Sequence, residues 1–115
     1  MSSINNINNT TLNQYNALAP FVLQYDRKRF VRSSSLFDNA NNTTTMKYES
    51  RRQRGAFIKD QLSVVVRYDD ASDLYDIEII HSNGKTFDNT SVFKSEGHFF
   101  DSFADIQNFI NLQRA

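Results

Sequence analysis

At 115 residues the chain has the size of one small domain, long enough to bury a core without covalent staples. It contains no cysteine, which excludes a disulfide framework and any Cys-based zinc site. Its formal charge of zero hides a division: nine Lys or Arg against three Asp or Glu from Met1 to Lys59 (net +6), then four against ten from Asp60 to Ala115 (net −6).

Such asymmetry predicts an anionic partner for one half, or attraction between the halves. No apolar run approaches the roughly 20 residues of a membrane span. The opening Met-Ser-Ser-Ile-Asn-Asn lacks the basic start and apolar stretch of a secretory signal. The expectation is a soluble, intracellular protein, cytoplasmic or organellar. The N-x-S/T matches at Asn8, Asn9, Asn41, Asn42 and Asn89 then follow from Asn/Thr richness alone. An Asn-rich, cysteine-free composition also suggests an A/T-rich genome, as in viral, phage or organellar sources.

Residues 1–16 read as a flexible Asn/Thr-rich head, with Ile4, Ile7 and Leu12 as its only aliphatic anchors between Ser2 and Asn16. Residues 17–115 read as a single small domain. Pro20 suits a first helical position, yet Phe21, Leu23 and Tyr25 alternate as in a strand, and Phe30-Val31 could supply another. Strand is the favoured reading. The polar stretch from Ser33 to Met46 reads as a long loop.

The acidic half is clearer. Leu62, Val64, Val66 and Tyr68 alternate with Ser63, Val65 and Arg67, which predicts a strand. Asp69 to Asp73 turns the chain. Tyr75, Ile77, Ile79 and His81 alternate into a second strand. Asn83-Gly84 predicts a tight type I′ hairpin, because that turn needs positive φ at both central positions. The return strand from Lys85 would set Ile79 against Asp88, a conflict that a bulge or an early departure would relieve. Finally, Ser102 as N-cap and Asp105 three residues on approximate a capping box. Phe103, Ile106, Phe109 and Ile110 form one apolar stripe of a C-terminal helix. The expected fold is α+β: a small antiparallel sheet of three or more strands with the helix packed on one face.

Chemistry-bearing residues are sparse. Two histidines, His81 and His98, show no metal-ligand spacing, and the acidic turn lacks the Gly and closing Glu of a calcium loop. With three glycines and no phosphate-loop or nucleophile-elbow motif, no cofactor, metal or catalytic site is expected, and the protein reads as a non-enzyme. What remains is charge. Arg27, Lys28, Arg29 and Arg32, with Arg51, Arg52 and Arg54, are candidate anion or nucleic-acid contacts, since a guanidinium grips phosphate bidentately. Tyr25, Phe30, Tyr48 and Phe57 flank them as candidate base-stacking rings. Asp69, Asp70, Asp73, Asp76 and Glu78 are candidate contacts to a basic partner. The leading expectation is a protein-binding module, an adaptor or an inhibitor that occupies a nucleic-acid-binding cleft. The alternatives are RNA or single-stranded DNA binding through the arginines, and self-association, such as a homodimer, through an exposed strand edge.

Overall fold

The computed structural model describes residues 19–50, 60–84, 86–98 and 106–114. Six strands form one antiparallel sheet in sequence order: β1 (Val22–Tyr25), β2 (Lys28–Asp38), β3 (Thr43–Ser50), β4 (Gln61–Asp69), β5 (Leu74–Asn83) and β6 (Asp88–His98). A single described helix, α1 (Ile106–Arg114), follows. The sheet curls into a half-barrel, so the architecture is mostly β and the expected α+β two-layer fold is corrected.

Alternation explains the core. Successive strand residues point to opposite faces. Leu62, Val64 and Val66 of β4 therefore join Tyr75, Ile77 and Ile79 of β5 inside the curl, all at most 1 % exposed. Met46 and Tyr48 of β3, Phe30 of β2 and Leu23 of β1 complete that wall. Burying each aliphatic side chain stabilises the fold by roughly 1.5–3 kcal/mol.

Irregularities produce the curl. One extra residue interrupts β2 at Ser33, between the pairs Arg32–Tyr48 and Ser34–Lys47. Strand β6 carries two more: Val92 has no partner between the pairs Ile80–Ser91 and Ile79–Phe93, and a second irregularity lies where Gly97 adopts φ 74°. Bulges bend a strand and sharpen its twist. The one at Val92 also turns Val92 and its neighbour Phe93 inward together.

Helix α1 does not lie across a flat face. It packs against both β1 and β6, the two edge strands, and fills the opening that the curl leaves. Ile106, Phe109 and Ile110 point inward, as their spacing predicts. Gln107 meets the edge of β1: its Oε1 accepts from Gln24 N at 2.8 Å and its Nε2 donates to Gln24 O at 2.9 Å. A side-chain amide thus occupies the edge position that another strand would take. Ser102, Phe103 and Asp105 lie outside the described residues, as does the head.

The long loop expected at 33–46 is corrected to strand, turn and strand. Its Ser/Asn/Thr content reflects exposure, since Ser33 to Leu36 are all exposed on β2, and a solvated strand needs no apolar side chains. The hairpin expected at Asn83-Gly84 is likewise longer. Asn83 pairs with Asp88 across a four-residue loop, and Phe87 N donates to Asn83 O at 2.7 Å with Phe87 at φ 59°. This register sets Ile79 against Phe93 instead of Asp88, so apolar pairing overrides the local turn preference. Positive φ at both positions of a two-residue turn occurs instead at Asp26 (52°) and Arg27 (62°), between β1 and β2.

Candidate functional site

The half-barrel has two rims. The lower rim carries the Asp26-Arg27 turn, the loop after Asn83, and Ser50 and Asp60, the two residues flanking 51–59. Ser50 N donates to Asp60 O at 3.0 Å. The upper rim carries the turns 39–42 and 70–73.

On the lower rim, inward alternation brings Tyr25, Lys28 and His81 together at the mouth of the curl, where Asp60 closes the group. Asp60 Oδ2 forms an ion pair with Lys28 Nζ and lies 3.4 Å from His81 Nε2. Asp60 Oδ1 accepts from Gly84 N at 3.1 Å. The carboxylate is largely shielded, its side chain 13 % exposed. Burial pushes its pKa up, but the Lys28 bond and charge, the Gly84 N–H and His81 outweigh that and hold it below 3.8. The His81 ring sits 5.1 Å from Tyr25 and 6.3 Å, edge-on, from Phe30. One aspartate therefore ties the starts of β2 and β4 to the end of β5. A histidine beside a carboxylate has general-base composition, but no serine, threonine or cysteine nucleophile joins it among the described contacts. Among the described residues no group of three or more His, Cys, Asp or Glu is placed to hold a metal.

The upper rim is built from two turns of the same form. Asp38-Asn39-Ala40-Asn41-Asn42 and Asp69-Asp70-Ala71-Ser72-Asp73 share Asp at the first position, Ala at the third and a left-handed residue at the fifth (Asn42 φ 49°, Asp73 φ 58°). In each, the leading carboxylate accepts from the alanine N–H, at 3.0 Å for Asp38 and 3.2 Å for Asp69. Its second oxygen accepts from the fourth residue, Asn41 Nδ2 at 2.7 Å or Ser72 Oγ at 2.8 Å. These are Asx-type caps, and Asn and Asp tolerate the left-handed position. Tyr68 N donates to Asn42 O at 2.9 Å and binds the two turns side by side. Asp38, Asp69, Asp70 and Asp73, all exposed, thereby share one rim. Tyr68 Oη donates to Asp73 Oδ1 at 2.5 Å. Burial, then the Asp73 bond and the charges of Asp73, Asp70 and Asp69, push the Tyr68 pKa up to about 12.

The acidic candidates divide between this rim and the outer face. Asp69, Asp70 and Asp73 stand on the rim. Asp76 lies on the outer face, its Oδ2 2.5 Å from Arg67 Nη2 and its Oδ1 3.4 Å from Gly97 N. Glu78 is also on the outer face, opposite Lys94. These outer residues line an open groove of about 260 Å3 with Thr43 and Val65.

The four basic candidates among the described residues are not gathered on one face. Arg27 is exposed in its turn, Arg29 is exposed on the outer face of β2, and Lys28 turns inward to Asp60. Arg32 also turns inward, opposite Tyr48, with its guanidinium 5.7 Å from the Phe21 ring centroid. It partly offsets the effect of burial, which raises the Tyr48 pKa. Tyr48 Oη donates to Pro20 O at 2.7 Å. Arg51, Arg52, Arg54 and Phe57 lie outside the described residues. Of the candidate stacking rings, Phe30 and Tyr48 are core residues with no exposed surface, and Tyr25 is half-buried.

Sequence reasoning missed Asp60 and Asp38. Nothing local marks Asp60, whose partners lie 24 and 32 residues away. Asp38 was legible: the Asp-x-Ala-x-Asn/Asp pattern recurs at Asp69 and marks both turns. No helix among the described residues is long and apolar enough to cross a membrane. Comparison with protein-family models, curated proteins and solved structures finds no match for the chain.

Proposed function

We propose that this chain is a non-enzymatic protein-binding module whose acidic upper rim docks on a basic surface of another protein. The observation that carries this reading is the pairing of two like turns, which aligns Asp38, Asp69, Asp70 and Asp73 on one exposed rim. Clustered charge of one sign accelerates encounter with an oppositely charged partner and selects against others. Among the described residues, the separation of Arg27, Lys28, Arg29 and Arg32 favours this mode over base stacking, as does the burial of Phe30 and Tyr48, which would have to leave the core to present a face. A basic nucleic-acid-binding cleft is a natural target, and occupying it would make the protein an inhibitor.

The test is capture of native partners on the immobilised chain after nuclease treatment, compared with Asp70→Asn/Asp73→Asn. Asparagine keeps the turn chemistry while removing two charges. Proteins retained by the parent, lost with the double variant, and displaced by nucleic acid are the expected result. Retention unaffected by the substitutions, or binding that disappears with nuclease, overturns the proposal.

A further inference from the structure

The Asn83-Gly84 pair has a reactivity separate from turn formation. With no Cβ on the following residue, a glycine nitrogen can reach the asparagine side-chain amide. Gly84 N loses its proton and bonds to Asn83 Cγ, while the Cγ–Nδ2 bond breaks and Nδ2 departs as ammonia. Water then opens the resulting succinimide at either carbonyl, leaving aspartate or isoaspartate. The sequence of steps consumes one water, releases one ammonia and needs no oxidant or reductant.

The nucleophile in that reaction is held. Gly84 is buried, and its N–H is donated to Asp60 Oδ1 at 3.1 Å. Removing that proton would set an amide anion against an ionised carboxylate, an arrangement of like charges that strongly disfavours ionisation. Lys28 keeps the carboxylate ionised and in place. The carbonyl of Asn83 is also engaged, accepting from Phe87 N at 2.7 Å, which restricts the rotation that attack requires.

We propose that Asn83-Gly84 is a spontaneous deamidation site kept latent by the Asp60 carboxylate. Once reacted, position 83 would place a new carboxylate directly opposite Asp88, its partner in the register. Like charges directly opposite destabilise a strand pair. An isoaspartyl product would also lengthen the backbone at the end of β5. Loss of the Asp60 contact thus converts into a lasting lesion at the β5–β6 hairpin.

The test incubates the full chain at mildly alkaline pH and follows residue 83 by peptide mass mapping. The comparison set is Asp60→Ala, Asp60→Asn, Val64→Ala and a short peptide spanning Asn83-Gly84. The last variant lowers stability from the core without touching the Asp60–Gly84 bond. Asp60→Ala should deamidate at least about tenfold faster than the parent, the scale of one hydrogen bond to a charged group, with Asp60→Asn between. Val64→Ala should stay close to the parent. Equal acceleration in Val64→Ala and Asp60→Ala at matched stability would mean that global unfolding exposes the site, and the proposal fails. It fails also if the folded parent reacts at the rate of the free peptide, or if no variant reacts.

Discussion

Replacing Phe109 with alanine tests whether helix α1 acts as the closing wall of the half-barrel. Phe109 is 8 % exposed and stacks on Phe93 with ring centroids 5.0 Å apart and planes 3° apart. Its ring also sits 5.1 Å from His98. Truncating a buried phenylalanine costs about 3–5 kcal/mol, of which the aromatic pairing contributes about 0.5–1.5 kcal/mol. That is a large share of the ~5–15 kcal/mol that holds a typical domain. The described helix runs for nine residues. Isolated helices shorter than about 12–15 residues are marginal in water, so α1 persists through its packing. Urea unfolding, with a slope of about 1–3 kcal/mol per M, should therefore show a midpoint lower by about 1–5 M. Amide exchange at Gln24 should rise too, because its N–H is held by Gln107 of the same helix. A loss below ~1 kcal/mol with Gln24 still protected would show that the helix is not needed to close the sheet.

Two further outcomes follow from local geometry. Arg27 occupies φ 62°, a left-handed position that costs a non-glycine residue about 1–2 kcal/mol. Arg27→Gly should stabilise the β1–β2 hairpin by about 0.5–1 kcal/mol and raise the thermal midpoint; a lower midpoint would mean that the arginine side chain makes contacts outweighing its strain. Tyr68, raised from 10.0 to about 12, holds its proton more tightly folded than unfolded, so its stability contribution is complete below pH 10 and disappears between about pH 10 and 12. Phenolate absorbance, read as the difference between the parent and Tyr68→Phe, should locate that titration near 12. Asp73→Ala should draw it down, and an unchanged value would remove Asp73 as a cause.

The parts of this fold that were readable are those where side-chain periodicity and burial coincide. Strands β4 and β5 alternate cleanly because one face is core and the other solvent, and the stripe Ile106–Phe109–Ile110 survives as the buried face of α1. Strand β2 was opaque because its outer half is exposed on both faces, so no apolar residue reports the period. Strand β6 was opaque for the opposite reason: its bulge at Val92 sends two consecutive apolar residues inward and breaks the alternation. The first basic run, Arg27 to Arg32, does not present one face because adjacency in a strand means opposition in space. Lys28 and Arg29 are neighbours in sequence, yet one meets Asp60 inside and the other faces solvent. The described side-chain contacts of Asp60, to Lys28, His81 and Gly84, are all distant in sequence, and no local pattern encodes them.

The two upper-rim turns separate residues that build the surface from residues that charge it. Asp38 and Asp69 spend both carboxylate oxygens on their own turns, accepting from Ala40 and Asn41, and from Ala71 and Ser72. Substituting either would unmake the turn as well as the charge, so a lost interaction would say nothing about docking. Asp73 holds the left-handed position that asparagine fills equally well at Asn42 of the sister turn. Asparagine at 73 therefore keeps the backbone and leaves an acceptor for Tyr68 Oη. Asp70 occupies the second position, where the sister turn carries Asn39. Asp70→Asn and Asp73→Asn thus convert one turn toward the neutral form the chain itself already uses. An exposed rim charge acts mainly on association rate and its salt dependence, screened beyond about 8 Å at physiological ionic strength. Partner capture should accordingly weaken through slower association while the folded sheet and its thermal midpoint stay as they were.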